Sequence, residues 1–141
     1  MAAGEYELAL KSYYRAAAEH GLNADVLSAL GSANLKLGRL KQAQKLLESA
    51  VEKDPEFVPA LNNLGVVLME LGDDGEARRV FRNAFALDNG NSDVIRENLR
   101  KAIAKMKNTT YAVANDNKFE LVRRGNGVYL LLPTPVSNVE Q

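Results

Sequence analysis

Side chains able to carry out covalent chemistry are scarce in this sequence. His20 is the only histidine and cysteine is absent, which excludes thiol nucleophiles, zinc–thiolate sites and disulfides. His20 precedes Gly21 at a predicted helix end, where an imidazole can meet the last helical carbonyls. We find no glycine-rich phosphate loop, no nucleophile-elbow serine and no metal-ligand spacing. The sequence therefore predicts a protein that is not an enzyme, with no catalytic residue, no metal site and no cofactor.

Carboxylate binding is the other chemistry that residue types suggest. Arg96 and Arg100 are four residues apart, which places them on one face of a predicted helix. A guanidinium group binds a carboxylate through two parallel hydrogen bonds, so the pair could hold an acidic peptide. A charged face that contacts only solvent is the alternative, and the sequence does not choose between them.

Composition narrows the class of partner. The 141 residues have room for one domain, and 18 basic residues balance 18 acidic ones. This balance argues against a dedicated nucleic-acid binder, which relies on an excess of lysine and arginine. No apolar stretch is long enough to span a membrane, and no signal-peptide pattern is visible. We therefore expect a protein or peptide partner, no nucleic acid, no membrane span and, by default, a cytoplasmic location.

The elements that must position these residues follow an internal repeat with a constant period and no gap. Each unit predicts two helices, because its leucines and alanines follow three-and-four spacing. A Leu-Gly pair separates the helices, since glycine accepts the left-handed conformation at a helix end. The positions Leu27, Leu30, Gly31, Leu37, Gly38, Ala43, Leu47 and Ala50 recur one period later as Leu61, Leu64, Gly65, Leu71, Gly72, Ala77, Phe81 and Ala84.

This pattern resembles the tetratricopeptide repeat, a helix–turn–helix unit of about 34 residues. The resemblance implies an all-α superhelix of antiparallel helix pairs over residues 1–108. Full repeats are expected at 24–57 and 58–91, preceded by a half-repeat at 4–20 and followed by a cap helix at 92–107.

The N-terminal helix, predicted at 5–20, lacks the partner helix that a complete unit would supply. Its face would be partly bare, and we leave two explanations open. Either the sequence is cut from a longer array, or this face packs on another chain and produces a homo-oligomer. The face consists of Tyr6, Ala9, Leu10, Tyr13 and Ala16.

Residues 109–141 read as a linker, a β-hairpin at about 118–133 and a flexible tail. Two β-prone runs, 119–124 and 128–132, flank Gly125-Asn126-Gly127, which is a strong hairpin signal. The hairpin could pack on the cap helix, pair with a strand of a partner, or occupy the groove as an internal ligand.

The resemblance also implies that the first helix of each unit lines a concave groove that binds a partner peptide or helix. Ser28 and Ser32 stand at two positions where relatives that grip chaperone C-termini carry lysine and asparagine, so we do not expect that specific activity. The alternative function is a self-associating structural subunit or assembly factor, for example in bacterial secretion or pilus assembly. The predicted groove residues are Asn62, Val66, Met69, Arg96, Arg100 and Ile103.

Overall fold

The computed structural model describes the backbone of residues 3–124 and the side chains of residues 3–110. The described residues form α-helices without any strand. Contacts divide the chain into two compact units, Met1–Ala104 and Lys105–Gln141. The six helices are α1 (Ala3–His20), α2 (Ala24–Lys36), α3 (Leu40–Lys53), α4 (Val58–Glu70), α5 (Asp74–Leu87) and α6 (Asp93–Arg124).

Local sequence explains where the helices begin and end. The Asn23 side chain caps α2 by accepting a hydrogen bond from the Val26 amide at 2.8 Å, and Asp73 caps α5 in the same way through the Glu76 amide. Gly38 and Gly72 follow α2 and α4 with φ of +77° and +86°, which is the left-handed conformation predicted for them. The predicted helix–turn–helix units are therefore confirmed.

Helices of the first unit that are consecutive in the sequence pack against each other. α2 contacts both α1 and α3, α4 contacts both α3 and α5, and α2 also contacts α4 directly. Because the connecting loops are short, successive helices run antiparallel. The all-α part of the fold prediction is thus correct.

Close approach of the two helices in each repeat depends on a glycine in the first helix. A Cβ atom placed on Gly31 would lie 2.5 Å from Cγ of Leu47, and one on Gly65 would lie 2.5 Å from Cε1 of Phe81. Leu47 and Phe81 are completely buried in the main core. The helical positions of the repeat are therefore buried, whereas the leucine of each Leu-Gly turn pair is half-buried and its glycine is exposed.

The helix α1 is attached less extensively. Leu10 is its one buried residue, and it packs with Leu30 and Ala33 of α2 in a separate small cluster. An ion pair joins Glu7 of α1 to Arg39 in the loop before α3 at 2.5 Å. The rest of α1 remains half-buried or exposed.

The predicted hairpin over 118–133 is not supported. Its first strand coincides with the end of α6, and its second strand lies outside the described residues. The cap helix, predicted to end at residue 107, continues to Arg124. The hydroxyls of Thr109 and Thr110 donate to the carbonyls of Lys105 and Met106, four residues earlier in the same helix.

Candidate functional site

Contacts join the first helices of neighbouring repeats. α2 packs on α4, and the Asn98 amide of α6 donates a hydrogen bond of 3.0 Å to Oδ1 of Asn62 on α4. The predicted groove residues lie on two of these helices, α4 and α6. We call this set the groove surface: Asn62, Val66, Met69, Arg96, Arg100 and Ile103.

The apolar members of the groove surface are half-buried. Val66 and Met69 pack against the main core with part of the side chain and expose the remainder. Ile103 of α6 has a similar degree of exposure. Each of the three therefore exposes part of an apolar side chain.

The two arginines differ in what they contact. Arg96 is half-buried, donates a hydrogen bond of 2.7 Å to the carbonyl of Gly90 and pairs with Asp93. It therefore ties the start of α6 to the preceding loop. Arg100 lies 3.5 Å from Glu97, and its side chain is 70% exposed, so its guanidinium remains accessible to a ligand.

Sequence reasoning missed the acidic partners of these arginines. Asp93 and Glu97 each lie three residues before an arginine on the same helix. This spacing was a usable signal, because residues three apart are neighbours on a helix surface. The carboxylates lower the positive charge of the groove surface near α6.

Two serines of α2 have different exposures. Ser28 is buried, with 5% of its surface accessible, and cannot contact a ligand without rearrangement. Ser32 is half-buried and lines a cleft between α1 and α2.

We call the cleft between α1 and α2 the N-terminal cleft. It has a volume of about 170 Å³ and is partly open to solvent. Its walls come from the face of α1 that the sequence predicted to be partly bare and from the adjoining face of α2. The lining residues are Tyr6, Ala9, Tyr13, Ala29, Ser32 and Ala33.

One ion pair whose two pKa values are shifted lies on α5, outside the groove surface and the N-terminal cleft. Arg79 donates a hydrogen bond of 2.9 Å from Nε to Glu76, which holds the pKa of the Glu76 carboxyl below its usual value. The same hydrogen bond raises the pKa of Arg79. Both groups stay charged near neutral pH and help to fix the first turn of α5.

Within residues 3–124, no group of three or more His, Cys, Asp or Glu residues could hold a metal ion. His20 lies exposed in the last turn of α1. In the same part of the chain, no helix combines the length and apolar character needed to cross a membrane.

Comparison with known proteins agrees with this geometry. A sequence profile of the tetratricopeptide repeat matches residues 1–65 and 34–96. Cellulose synthase operon protein C of Komagataeibacter xylinus is 36% identical over 63 residues, which are 45% of this chain and 5% of that protein. Cellulose synthase 1 operon protein C of the same organism matches equally. The chain thus spans a small fraction of the length of these relatives.

Solved structures show the same arrangement of helices. The Sgt2 TPR domain from Aspergillus fumigatus is similar with a TM-score of 0.73 and 24% identity, over 77% of this chain and 72% of that one. The second TPR domain of human RPAP3, in complex with the HSP70 peptide SGPTIEEVD, is similar with a TM-score of 0.63 and 28% identity. That similarity covers 70% of this chain and 82% of the RPAP3 domain.

Proposed function

Because this chain belongs to the tetratricopeptide repeat family, we propose that it is a non-catalytic protein-interaction module that binds a partner peptide or helix on the groove surface. The observation that carries the proposal is the continuity of the first helices. The contact between α2 and α4 and the Asn62–Asn98 hydrogen bond join the first helices of separate repeats. A linear ligand can lie across such a surface and contact several helices at once.

The chemistry of the groove surface favours a peptide with both acidic and apolar side chains. Arg100 offers an accessible guanidinium, which binds carboxylates in a planar, two-bonded geometry. Val66, Met69 and Ile103 are partly exposed and offer apolar contacts. The RPAP3 domain with 28% identity is bound to the acidic peptide SGPTIEEVD, which supports this class of ligand.

The recognition differs from that of a lysine- and asparagine-based clamp. Ser28 and Ser32 replace those side chains, and Ser28 is buried. Arg96 already binds the Gly90 carbonyl. We therefore assign the main contact with a ligand carboxylate to Arg100, and supporting roles to Arg96 and Asn62.

Affinity capture from a native lysate followed by mass spectrometry tests this proposal. The baits are the unchanged chain, Arg100→Glu and a matched control, Arg82→Glu, which makes the same charge change on an exposed residue of α5. We expect the unchanged chain and Arg82→Glu to retain one common partner that Arg100→Glu loses. A peptide of that partner should then bind about tenfold more weakly to Arg100→Glu in a fluorescence titration.

Circular dichroism of both variants is the control for folding, and we expect both to remain helical. Equal capture of the partner by Arg100→Glu and Arg82→Glu would contradict the proposed role of the groove surface.

A self-associating assembly subunit is the second candidate function. It is favoured by the apolar side chains that α1 exposes, including Leu8 at 64% and Tyr14 at 56%. The similarity to a protein of a cellulose synthase operon is compatible with a place in a bacterial assembly. Light scattering distinguishes this candidate: oligomers that dissociate when Tyr6 and Tyr13 are changed to serine support it, and a monomeric unchanged chain argues against it.

A further inference from the structure

The helix α1 carries side chains at the repeat positions through which α3 and α5 pack against another helix. Ala9, Tyr13 and Ala16 stand one repeat period before Ala43, Leu47 and Ala50, and two periods before Ala77, Phe81 and Ala84. All six of these later residues have no exposed surface. The three in α1 are only half-buried, although their sizes follow the same small–large–small order.

The equivalent face of α3 is covered by α2, and that of α5 by α4. In both cases a glycine of the covering helix lies against the large side chain. The Cβ position of Gly31 is 2.5 Å from Leu47, and that of Gly65 is 2.5 Å from Phe81. The covering helix is therefore amphipathic, with a small residue at the point of closest approach.

One repeat period later, the position equivalent to the N-terminal cleft lies between α3 and α4, and there it is occupied by α2. Each of the cleft's six lining residues has a counterpart one repeat period later, on α3 or α4. α2 packs on both of these helices, and three of the counterparts, Ala43, Leu47 and Val67, are completely buried. The counterparts are Leu40, Ala43, Leu47, Asn63, Val66 and Val67.

We propose that the N-terminal cleft is a docking site for an amphipathic α-helix of another protein, which places a glycine or alanine against Tyr13 and leucines on either side. The bound helix extends the packing already present between α2 and α3, so the new interface continues an existing one. This site is distinct from the groove surface, which lies on α4 and α6.

A second copy of this chain does not offer such a helix within residues 3–124. α2 and α4 have the required pattern, but their glycines are already packed against Leu47 and Phe81. In α6 the equivalent position is Leu99, whose side chain would collide with Tyr13 at the point of closest approach. The described residues of a second copy therefore do not supply the required helix.

A peptide with the sequence of residues 57–71 is the probe, extended by two lysines for solubility. It contains α4, whose Gly65 packs against an aromatic ring at the position equivalent to Tyr13. Fluorescence anisotropy of the labelled peptide is measured against the full 141-residue chain. We expect saturable binding of this peptide. The same peptide with Gly65→Leu should bind at least about tenfold more weakly, because the added side chain occupies the space of the Tyr13 ring.

Two matched substitutions in α1 locate the site. Ala9→Glu places a charge in the N-terminal cleft, whereas Ala18→Glu makes the same change at an exposed position of the same helix. We expect Ala9→Glu to weaken peptide binding about tenfold or more, since a carboxylate would be buried without a partner. Ala18→Glu should bind as the unchanged chain does, and circular dichroism should show equal helix content in both.

The inference is overturned if the peptide does not bind saturably, or if Ala9→Glu and Ala18→Glu bind it equally. It is also overturned if light scattering shows a dimer that Ala9→Glu dissociates, since the cleft would then be filled by a second copy. Arg100→Glu should leave peptide binding unchanged. This last measurement separates failure of the N-terminal cleft from failure of the groove surface.

Discussion

Individual glycines allow the two helices of each repeat to approach each other closely. Gly31 and Gly65 have no room for a side chain, because Leu47 and Phe81 occupy the space and are themselves fully enclosed. The sequence identified both glycines from their repeat position. Their effect on stability depends on these contacts, which the sequence did not contain.

Replacement of either glycine should therefore lower stability. We expect Gly65→Ala and Gly31→Ala each to reduce the free energy of unfolding by about 1–3 kcal/mol, as overpacking of a core does. Urea denaturation followed by circular dichroism measures the change.

Gly75 in the first turn of α5 is the matched control, since a Cβ there meets nothing within 4 Å. Gly75→Ala should raise the free energy of unfolding by up to about 1 kcal/mol, because alanine loses less conformational entropy than glycine. Equal unfolding midpoints for Gly65→Ala and Gly75→Ala would show that the close approach has no energetic consequence.

At the scale of elements, α6 shows where local sequence signals were insufficient. Residues 118–124 contain both β-prone residues, such as Phe119 and Val122, and good helix formers, such as Glu120 and Leu121. A strand needs a second strand for its backbone hydrogen bonds, whereas a helix satisfies them internally. The described residues contain no strand to pair with, and the segment continues the helix.

The helical extension of α6 is directly testable. We expect the carbon chemical shifts of residues 105–124 in an NMR spectrum of the full chain to have helical values. Residues 93–104 of the same helix serve as the internal reference. Strand-like shifts over 119–124 would restore the hairpin interpretation and contradict the extension.

At the scale of the whole first unit, stability depends on contacts between neighbouring helices. α4 contacts α2, α3 and α5, whereas the only helix with which α1 is seen to pack, among the described residues, is α2. Such arrays open in segments, and the segment with the fewest buried contacts opens first.

Hydrogen exchange should therefore show a gradient of protection. We expect the amides of α1 to exchange faster than those of α4, by about tenfold or more, because opening α1 exposes only the small cluster around Leu10. Mass spectrometry of deuterium uptake by the full chain measures both helices in one experiment. Uniform protection across α1 and α4 would contradict this gradient and indicate one cooperative unit.

The predicted binding residues illustrate a similar division between sequence and structure. The sequence placed Arg96 and Arg100 on one helix face and predicted the same role for both. Their different contacts depend on Gly90 and Asp93 for Arg96, and on Glu97 for Arg100. Periodicity identifies a shared face, but it does not identify which neighbouring group a long side chain reaches.

The sequence by itself determined the repeat, the helix-breaking glycines and the buried helical positions that recur in it, such as Leu47 and Phe81. These features are local or recur at a fixed interval, so residue type and spacing encode them. Only the tertiary structure decided that Arg96 binds a loop carbonyl, that the N-terminal cleft is open and that α6 continues beyond the predicted cap. Each of these outcomes depends on which groups are present or absent across a gap in space, and one-dimensional spacing carries no information about that.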